Sequence, residues 1–97
     1  MVINAGYVTF TGPGGAAGDV VGGTSGAVSF IKSHVDPPAV TLMVTGPSGV
    51  DIATTGLLNV NAWASDVTGG GCTLNISAPV ESASDVVAVN YVAMSNR

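Results

Sequence analysis

The sequence predicts an all-β fold, a six-stranded antiparallel β-sandwich formed by a single domain over residues 1–97. Apolar residues recur at every second position in short runs, the period of a strand with one buried face. The 14 glycines and five prolines disfavour helices, because glycine is entropically unfavourable in a helix and proline lacks an amide donor. Turn residues separate the runs at intervals typical of antiparallel sandwiches.

Each predicted strand is a segment in which apolar and polar positions alternate or in which both faces are apolar. The six segments are residues 7–11, 27–31, 39–45, 57–65, 72–77 and 86–94. The core-facing residues of the last three are Leu58, Val60, Ala62 and Ala64, then Cys72, Leu74 and Ile76, then Val87, Val89, Tyr91 and Ala93. The last strand is apolar on its other face too, so we expect it to be central and covered twice, or buried between subunits.

The connections contain the residues that interrupt strands. Residues 12–26 hold much of the glycine and predict an ordered surface loop or an arm that packs on a neighbouring molecule. Pro37 and Pro38 predict an extended entry into the third strand, because proline restricts the residue before it. Residues 69–71, three glycines, permit a tight reversal before the fifth strand.

The chain is poor in charge, with 8% charged and 46% hydrophobic residues. A single copy has little charge to cover its apolar surface, so the composition predicts self-association. Among the charged residues, Lys32 and Arg97 are the only cations, and the net charge is -4. This balance argues against a nucleic-acid partner, because phosphate binding needs clustered Lys and Arg.

The single cysteine, Cys72, allows no intrachain disulfide, which favours a reducing compartment or an assembled particle. The sequence begins without the basic and apolar segments of a secretion signal. It also has no apolar run near the ~20 residues that a membrane-spanning helix needs. We therefore expect neither secretion nor membrane insertion.

Several patterns that resemble chemical sites have simpler interpretations. Residues 12–17 fit a G-x-G-x-x-A dinucleotide pattern, but no helical segment follows them. His34 and Asp36 form a possible catalytic pair, although a surface or interface histidine is favoured. The scattered carboxylates fit solvated turns better than a calcium loop. The sequence thus predicts no catalytic residue, cofactor or metal site, and a protein that is not an enzyme.

One polar strand face carries the main candidate binding residues, Asn59, Asn61 and Trp63. An exposed tryptophan is a common anchor at protein interfaces. Its ring also stacks on sugars, which leaves a sugar platform as the alternative. The predicted subunit interface is the second face of the last strand, with Val86, Ala88, Val92 and Met94.

The order and spacing of four short motifs resemble an H-type lectin domain over about two thirds of the chain. The motifs are Val-Ser-Phe at 28–30, Pro-Pro-Ala-Val at 37–40, Val-Thr-Gly-Gly-Gly-Cys at 67–72 and Val-Asn-Tyr-Val at 89–92. The resemblance implies a six-stranded antiparallel sandwich that assembles as a trimer, and related modules occur in bacteriophage fibres. It also implies carbohydrate binding where the family's binding residues are retained.

Those binding residues are not retained here. The family's sugar-binding Arg falls near Asn59, and its Trp-His pair falls near Pro79 and Val80. We therefore expect a homotrimeric structural protein of the virion surface, a bacteriophage capsid decoration protein or a fibre-tip module. It would be assembled in the host cytoplasm and contact capsid or tail proteins through Trp63 and residues 12–26. The alternative is a carbohydrate-binding lectin or host-receptor-binding module.

Overall fold

A computed structural model describes residues 1–48, 61–81, 83 and 85–97, and this part of the chain forms two β-sheets. The strands are β1 (Val2–Thr11), β2 (Val20–Val21), β3 (Ser25–Ser29), β4 (Ala39–Ser48), β5 (Ala62–Ser65), β6 (Gly71–Ile76) and β7 (Val86–Ser95). No helix occurs among the described residues, and hence no helix that could cross a membrane. The prediction of an all-β fold is confirmed.

The larger sheet has the strand order β2-β1-β7-β4. Strand β7 lies between β1 and β4 and is antiparallel to both, with Val89 opposite Val8 on one side and Val44 on the other. Strand β7 is therefore central within its sheet, but only its face with Val87, Val89, Tyr91 and Ala93 packs on the core, and Val92 and Met94 on the other face are exposed.

The smaller sheet has the order β3-β6-β5, and both of its pairings are antiparallel. Its central strand β6 alternates strictly, with Cys72, Leu74 and Ile76 buried and the residues between them partly exposed. The predicted core face of this strand is therefore confirmed.

The hydrophobic core contains the inward faces of both sheets. Its buried residues are Phe10, Phe30, Cys72, Leu74, Ile76, Val80, Val87, Val89, Tyr91 and Ala93. Ala62 and Ala64 of β5 pack against it, as the alternation of residues 57–65 predicts. Leu58 and Val60 lie outside the described residues.

The structure differs from the predicted six antiparallel strands in the start of the first strand, in the presence of β2 and in the parallel pairing of β2. The first strand begins at Val2 rather than at residue 7. The pattern missed its first half because the core-facing Asn4 is polar, and hydrogen bonds to the Lys32 backbone satisfy its side-chain amide. Strand β2 lies inside the segment predicted as a loop, and it pairs with β1 in parallel. The described part of the chain thus contains seven strands, of which β2 has only two residues.

The glycine-rich segment 12–26 is tied to β1. The Gly22 amide donates a hydrogen bond to the Thr11 carbonyl oxygen over 2.8 Å, and the Thr9 hydroxyl donates to the Asp19 carboxylate. Gly14, Gly18 and Gly22 have positive φ, a backbone conformation that side chains disfavour. The segment is an ordered connection, and β3 begins within it at Ser25.

Candidate interaction surfaces

The outer face of the larger sheet, here called the apolar face, exposes large hydrophobic side chains from three strands. They are Ile3 and Tyr7 of β1, Met43 of β4, and Val92 and Met94 of β7. Tyr7 is 67% exposed and Met43 is 70% exposed, so neither belongs to the core of an isolated copy. Hydrophobic groups of this size that stay in water on one face typically mark a contact with another molecule.

The register of the strands brings these residues into rows across the sheet. Met94 lies between Ile3 and Ala39, and Val92 lies between Ala5 and Thr41. In the next row Asn90 lies between Tyr7 and Met43, and its side-chain amide donates to the Met43 carbonyl oxygen over 3.3 Å and to the Thr45 hydroxyl over 3.1 Å. The one amide in the middle of the face thus has hydrogen-bond partners within the sheet.

No charged residue occurs in β1, β4 or β7. The charges that give the chain its net -4 therefore lie on other segments. Covering the apolar face requires no desolvation of an ionised side chain, which is the large penalty in burying a charged surface.

The predicted interface residues all belong to this outer face. Val92 and Met94 are exposed, while Val86 and Ala88 are partly buried. Sequence reasoning missed Ile3 and Met43 as members of the same surface. Alternation within residues 7–11 puts Tyr7 on the face opposite Phe10, but only the pairing of β1 with β7 shows what lies beside it.

The outer face of the smaller sheet, here called the Trp63 face, has a different character. Trp63 is 49% exposed on β5, and Asn75 lies between it and Ser25 in the same row. The Asn75 amide donates to the Trp63 carbonyl oxygen over 3.2 Å and to the Ser65 hydroxyl over 3.0 Å. An aromatic ring therefore stands beside hydroxyl and amide groups, on strands that carry no charge.

The predicted binding trio is only partly brought together by the structure. Asn61 is exposed immediately before β5, and its backbone amide donates to the Ser77 hydroxyl over 2.9 Å. Asn59 lies outside the described residues. Sequence reasoning missed Asn75, because the pairing of β5 with β6 is what places it beside Trp63, whereas Ser65 shares the Trp63 face through the alternation of β5 itself.

The interpretation of His34 as a surface or interface residue is wrong, because the fold of the single chain already buries it. Its side chain is 5% exposed and contacts Asn4 of β1 and Ser95 of β7. The possible catalytic pair with Asp36 does not form, because the Asp36 carboxylate instead accepts from the Arg97 guanidinium over 3.0 Å. The Ser95 hydroxyl donates to the Arg97 carbonyl oxygen over 2.8 Å and is also hydrogen-bonded to His34 Nδ1.

Cys72 is buried in the core beside Tyr91. Burial raises the pKa of the Cys72 thiol, because a thiolate would lose its hydration. Burial, and then the nearby Cys72, raise the pKa of the Tyr91 hydroxyl. A protonated and inaccessible thiol is a small core residue rather than a nucleophile.

Among the described residues, no three His, Cys, Asp or Glu side chains are grouped so that they could hold a metal ion. The chain matches no protein-family model, and no curated protein matches it in sequence.

Proposed function

We propose that this protein is a non-enzymatic structural component of a virion surface, a bacteriophage capsid decoration protein or a fibre-tip module, that works as a homotrimer. The observation that carries the proposal is the apolar face, with Ile3, Tyr7, Met43, Val92 and Met94 held in water by three uncharged strands. Such a face is unfavourable in an isolated copy and favourable once a second surface covers it.

A further copy of the same chain is the occupant that the charges favour. Each copy has a net charge of -4, so like copies repel through any surface that carries the acidic residues. Contact through the uncharged apolar face keeps those charges at the periphery, where solvent and salt screen them. Three copies around an axis would each turn this face inward.

The virion part of the proposal comes from the resemblance to H-type lectin domains, which form trimers and have relatives in bacteriophage fibres. In such a trimer the Trp63 face points away from the axis and is available to capsid or tail proteins. Tryptophan is a frequent anchor at protein contacts because it buries a large area with few rotatable bonds. Capsid or tail genes beside the gene for this chain would support the assignment, and metabolic genes there would argue against it.

The trimer is tested with two matched substitutions, Ala5→Asp and Ala27→Asp. Both alanines are exposed and lie within strands. Ala5 is beside Val92 on the apolar face, whereas Ala27 is on the outer face of the smaller sheet. Each substitution adds the same charge.

Light scattering at micromolar concentration should give three times the monomer mass for the unmodified chain and for Ala27→Asp. Ala5→Asp should be monomeric, because association would bury its carboxylate without a partner. A stable monomer in the unmodified chain, or equal masses for the two variants, would contradict the proposal.

The second candidate is a carbohydrate-binding lectin or host-receptor-binding module. The arrangement that favours it is Trp63 beside Asn75 and Ser65, because sugar sites combine an aromatic ring with a few hydroxyl and amide groups. Calorimetry against glycans selected on an array tests it. Ile31→Ala is the control, because Ile31 is 96% exposed and lies outside the strands that form the Trp63 face. Binding that Trp63→Ala abolishes with the trimer intact, and that Ile31→Ala retains, would favour the lectin over the virion protein.

A further inference from the structure

A hollow of about 140 Å³ opens on the apolar face between β4 and β7. Four outward-facing residues from two neighbouring rows of the sheet surround it, namely Thr41 and Met43 of β4 and Asn90 and Val92 of β7. The pair between these rows, Leu42 and Tyr91, also lines the hollow and packs toward the core. We call this feature the Met43 hollow.

The hydrogen bonds of Asn90 explain why its side chain does not fill the hollow. The Nδ2 group donates to the Met43 carbonyl oxygen over 3.3 Å and to the Thr45 hydroxyl over 3.1 Å. Thr45 lies in the row on one side of Asn90, whereas Val92 lies in the row on the other side. The amide is therefore held away from Val92, and the space between Val92 and Asn90 stays open.

Tyr7 is the complementary feature, because it is a large aromatic ring on the same face. It is 67% exposed, and its hydroxyl makes no hydrogen bond in the part of the chain that the structure describes. It lies in the row of Asn90 and Met43, but on β1, so that Asn90 separates it from the hollow. One copy therefore presents a projecting ring and a hollow at separate positions on one face.

The ring and the hollow match in size and in chemistry. A cavity of about 150 Å³ accommodates a benzene molecule, so a hollow of about 140 Å³ takes most of the phenol ring and leaves the hydroxyl near the rim. Met43 offers a thioether to the ring, which is a favourable contact. Asn90 uses Nδ2 in both of its hydrogen bonds to described residues, so its Oδ1 can accept from the Tyr7 hydroxyl.

We propose that the Tyr7 ring of one copy inserts into the Met43 hollow of a second copy of this chain, and that this contact sets the register of the subunits. The inference rests on the proposed homotrimer, whose subunit contact it defines. In a closed ring of three identical copies, each contact joins two different patches of the same surface. Tyr7 on β1 and the hollow between β7 and β4 are two such patches. Each copy then gives its ring to one neighbour and receives a ring from the other.

A second copy fits this hollow better than an unrelated partner does. The strands β1, β4 and β7 carry no charged residue, so two copies meet here without bringing their net charges of -4 together. The chain also supplies both halves of the contact, and insertion removes Tyr7 itself from water. An aromatic group from a different protein would fill the hollow but leave Tyr7 exposed.

NMR of the unmodified protein provides the first test. Chain with isotope-labelled methionine methyl groups is mixed with unlabelled chain, and the spectrum is filtered for contacts between labelled and unlabelled copies. Met43→Leu identifies the Met43 signal among the three methionines. We expect cross-relaxation between the Met43 methyl group of one copy and the Tyr7 ring of another. Its absence from an associated protein would overturn the proposal.

The dissociation constant of the assembly, measured by sedimentation, provides the second test. Tyr7→Ala should raise it by at least about thirtyfold, the effect of removing a buried aromatic anchor. Tyr7→Phe keeps the ring and should raise it by no more than about tenfold, through the loss of one hydrogen bond. Ile3→Ala is the matched control, because Ile3 is 49% exposed on the same strand and face but lies in the row of Met94. Equal effects of Tyr7→Ala and Ile3→Ala would contradict the proposal.

Thr41→Trp fills the hollow from an exposed position and should weaken association as Tyr7→Ala does. Mixing the two variants restores one contact, between the ring of the Thr41→Trp chain and the hollow of the Tyr7→Ala chain, so native mass spectrometry should show a complex with one copy of each. If both variants keep the mass of a trimeric unmodified chain, the Tyr7 contact is wrong and the homotrimer stands. A monomeric unmodified chain would instead refute the homotrimer, and the contact with it.

Discussion

Val89→Asp tests the placement of the strand on which the larger sheet depends. Val89 is fully buried at the middle of β7, opposite Val8 and Val44. The substitution removes a buried isopropyl group, worth roughly 1.5–3 kcal/mol. It also leaves a carboxylate in the core without a partner, which adds roughly 3–5 kcal/mol.

Together these losses are comparable with the whole stability of a domain of this length, about 5–15 kcal/mol. We therefore expect Val89→Asp to be largely unfolded at 25 °C, or to unfold at a small fraction of the normal denaturant concentration. Val35→Asp is the matched control, because Val35 is 75% exposed in the loop after His34. It should change the free energy of unfolding by no more than about 0.5 kcal/mol.

Urea unfolding followed by tryptophan fluorescence and by circular dichroism measures both variants. If Val89→Asp unfolds at the same urea concentration as Val35→Asp, then β7 does not have the position or the orientation described above. A large loss in Val35→Asp would instead show that the loop contributes far more to stability than its exposure indicates.

Two further predictions concern the β5–β6 connection and the core thiol. Gly69→Ala should lower the free energy of unfolding by about 1–3 kcal/mol, because a Cβ there collides with the His34 carbonyl oxygen. Gly70→Ala is the control for the same thermal unfolding experiment and should be nearly neutral, because a Cβ at Gly70 meets open space. Cys72 should react with a disulfide reagent much more slowly in the folded protein than in denaturant, because burial protects it and raises its pKa. The raised pKa also predicts a loss of stability at alkaline pH, where the unfolded chain releases the thiol proton and the folded chain does not; fast labelling of native protein would contradict both statements.

The alternation of apolar and polar residues predicted the strands in which the inward positions are apolar along most of the strand. It identified the buried faces of β6 and β7 correctly, because the inward residues from Cys72 to Ile76 and from Val87 to Ala93 are apolar. It missed the first half of β1, where the inward positions are Asn4 and Gly6. Gly6 lies under the ring of Tyr91, and a Cβ in its place would be 2.9 Å from the Tyr91 hydroxyl. Such a position depends on tertiary packing that has no local signature.

The sequence predicted which residues of a single strand share an exposed face, but not which strands lie side by side to form each candidate surface. The second face of β7 indicated an interface, but Ile3 and Met43 join it through pairings between distant segments. The buried state of His34 has the same cause, since its partners Asn4 and Ser95 come from opposite ends of the sequence. Sequence patterns in a short window contain no information about such contacts.

The central position of β7 sets the order in which the protein becomes stable. Strands β1 and β4 do not pair with each other, and each is hydrogen-bonded along its length to β7. On a ribosome both strands are therefore made well before the strand that joins them. The register that places Val8 against Val89 closes a loop of about eighty residues, an entropy loss that precedes any gain from the sheet. Folding should consequently be slow and all-or-none for the larger sheet, with the uncharged strands exposed to aggregation until β7 arrives.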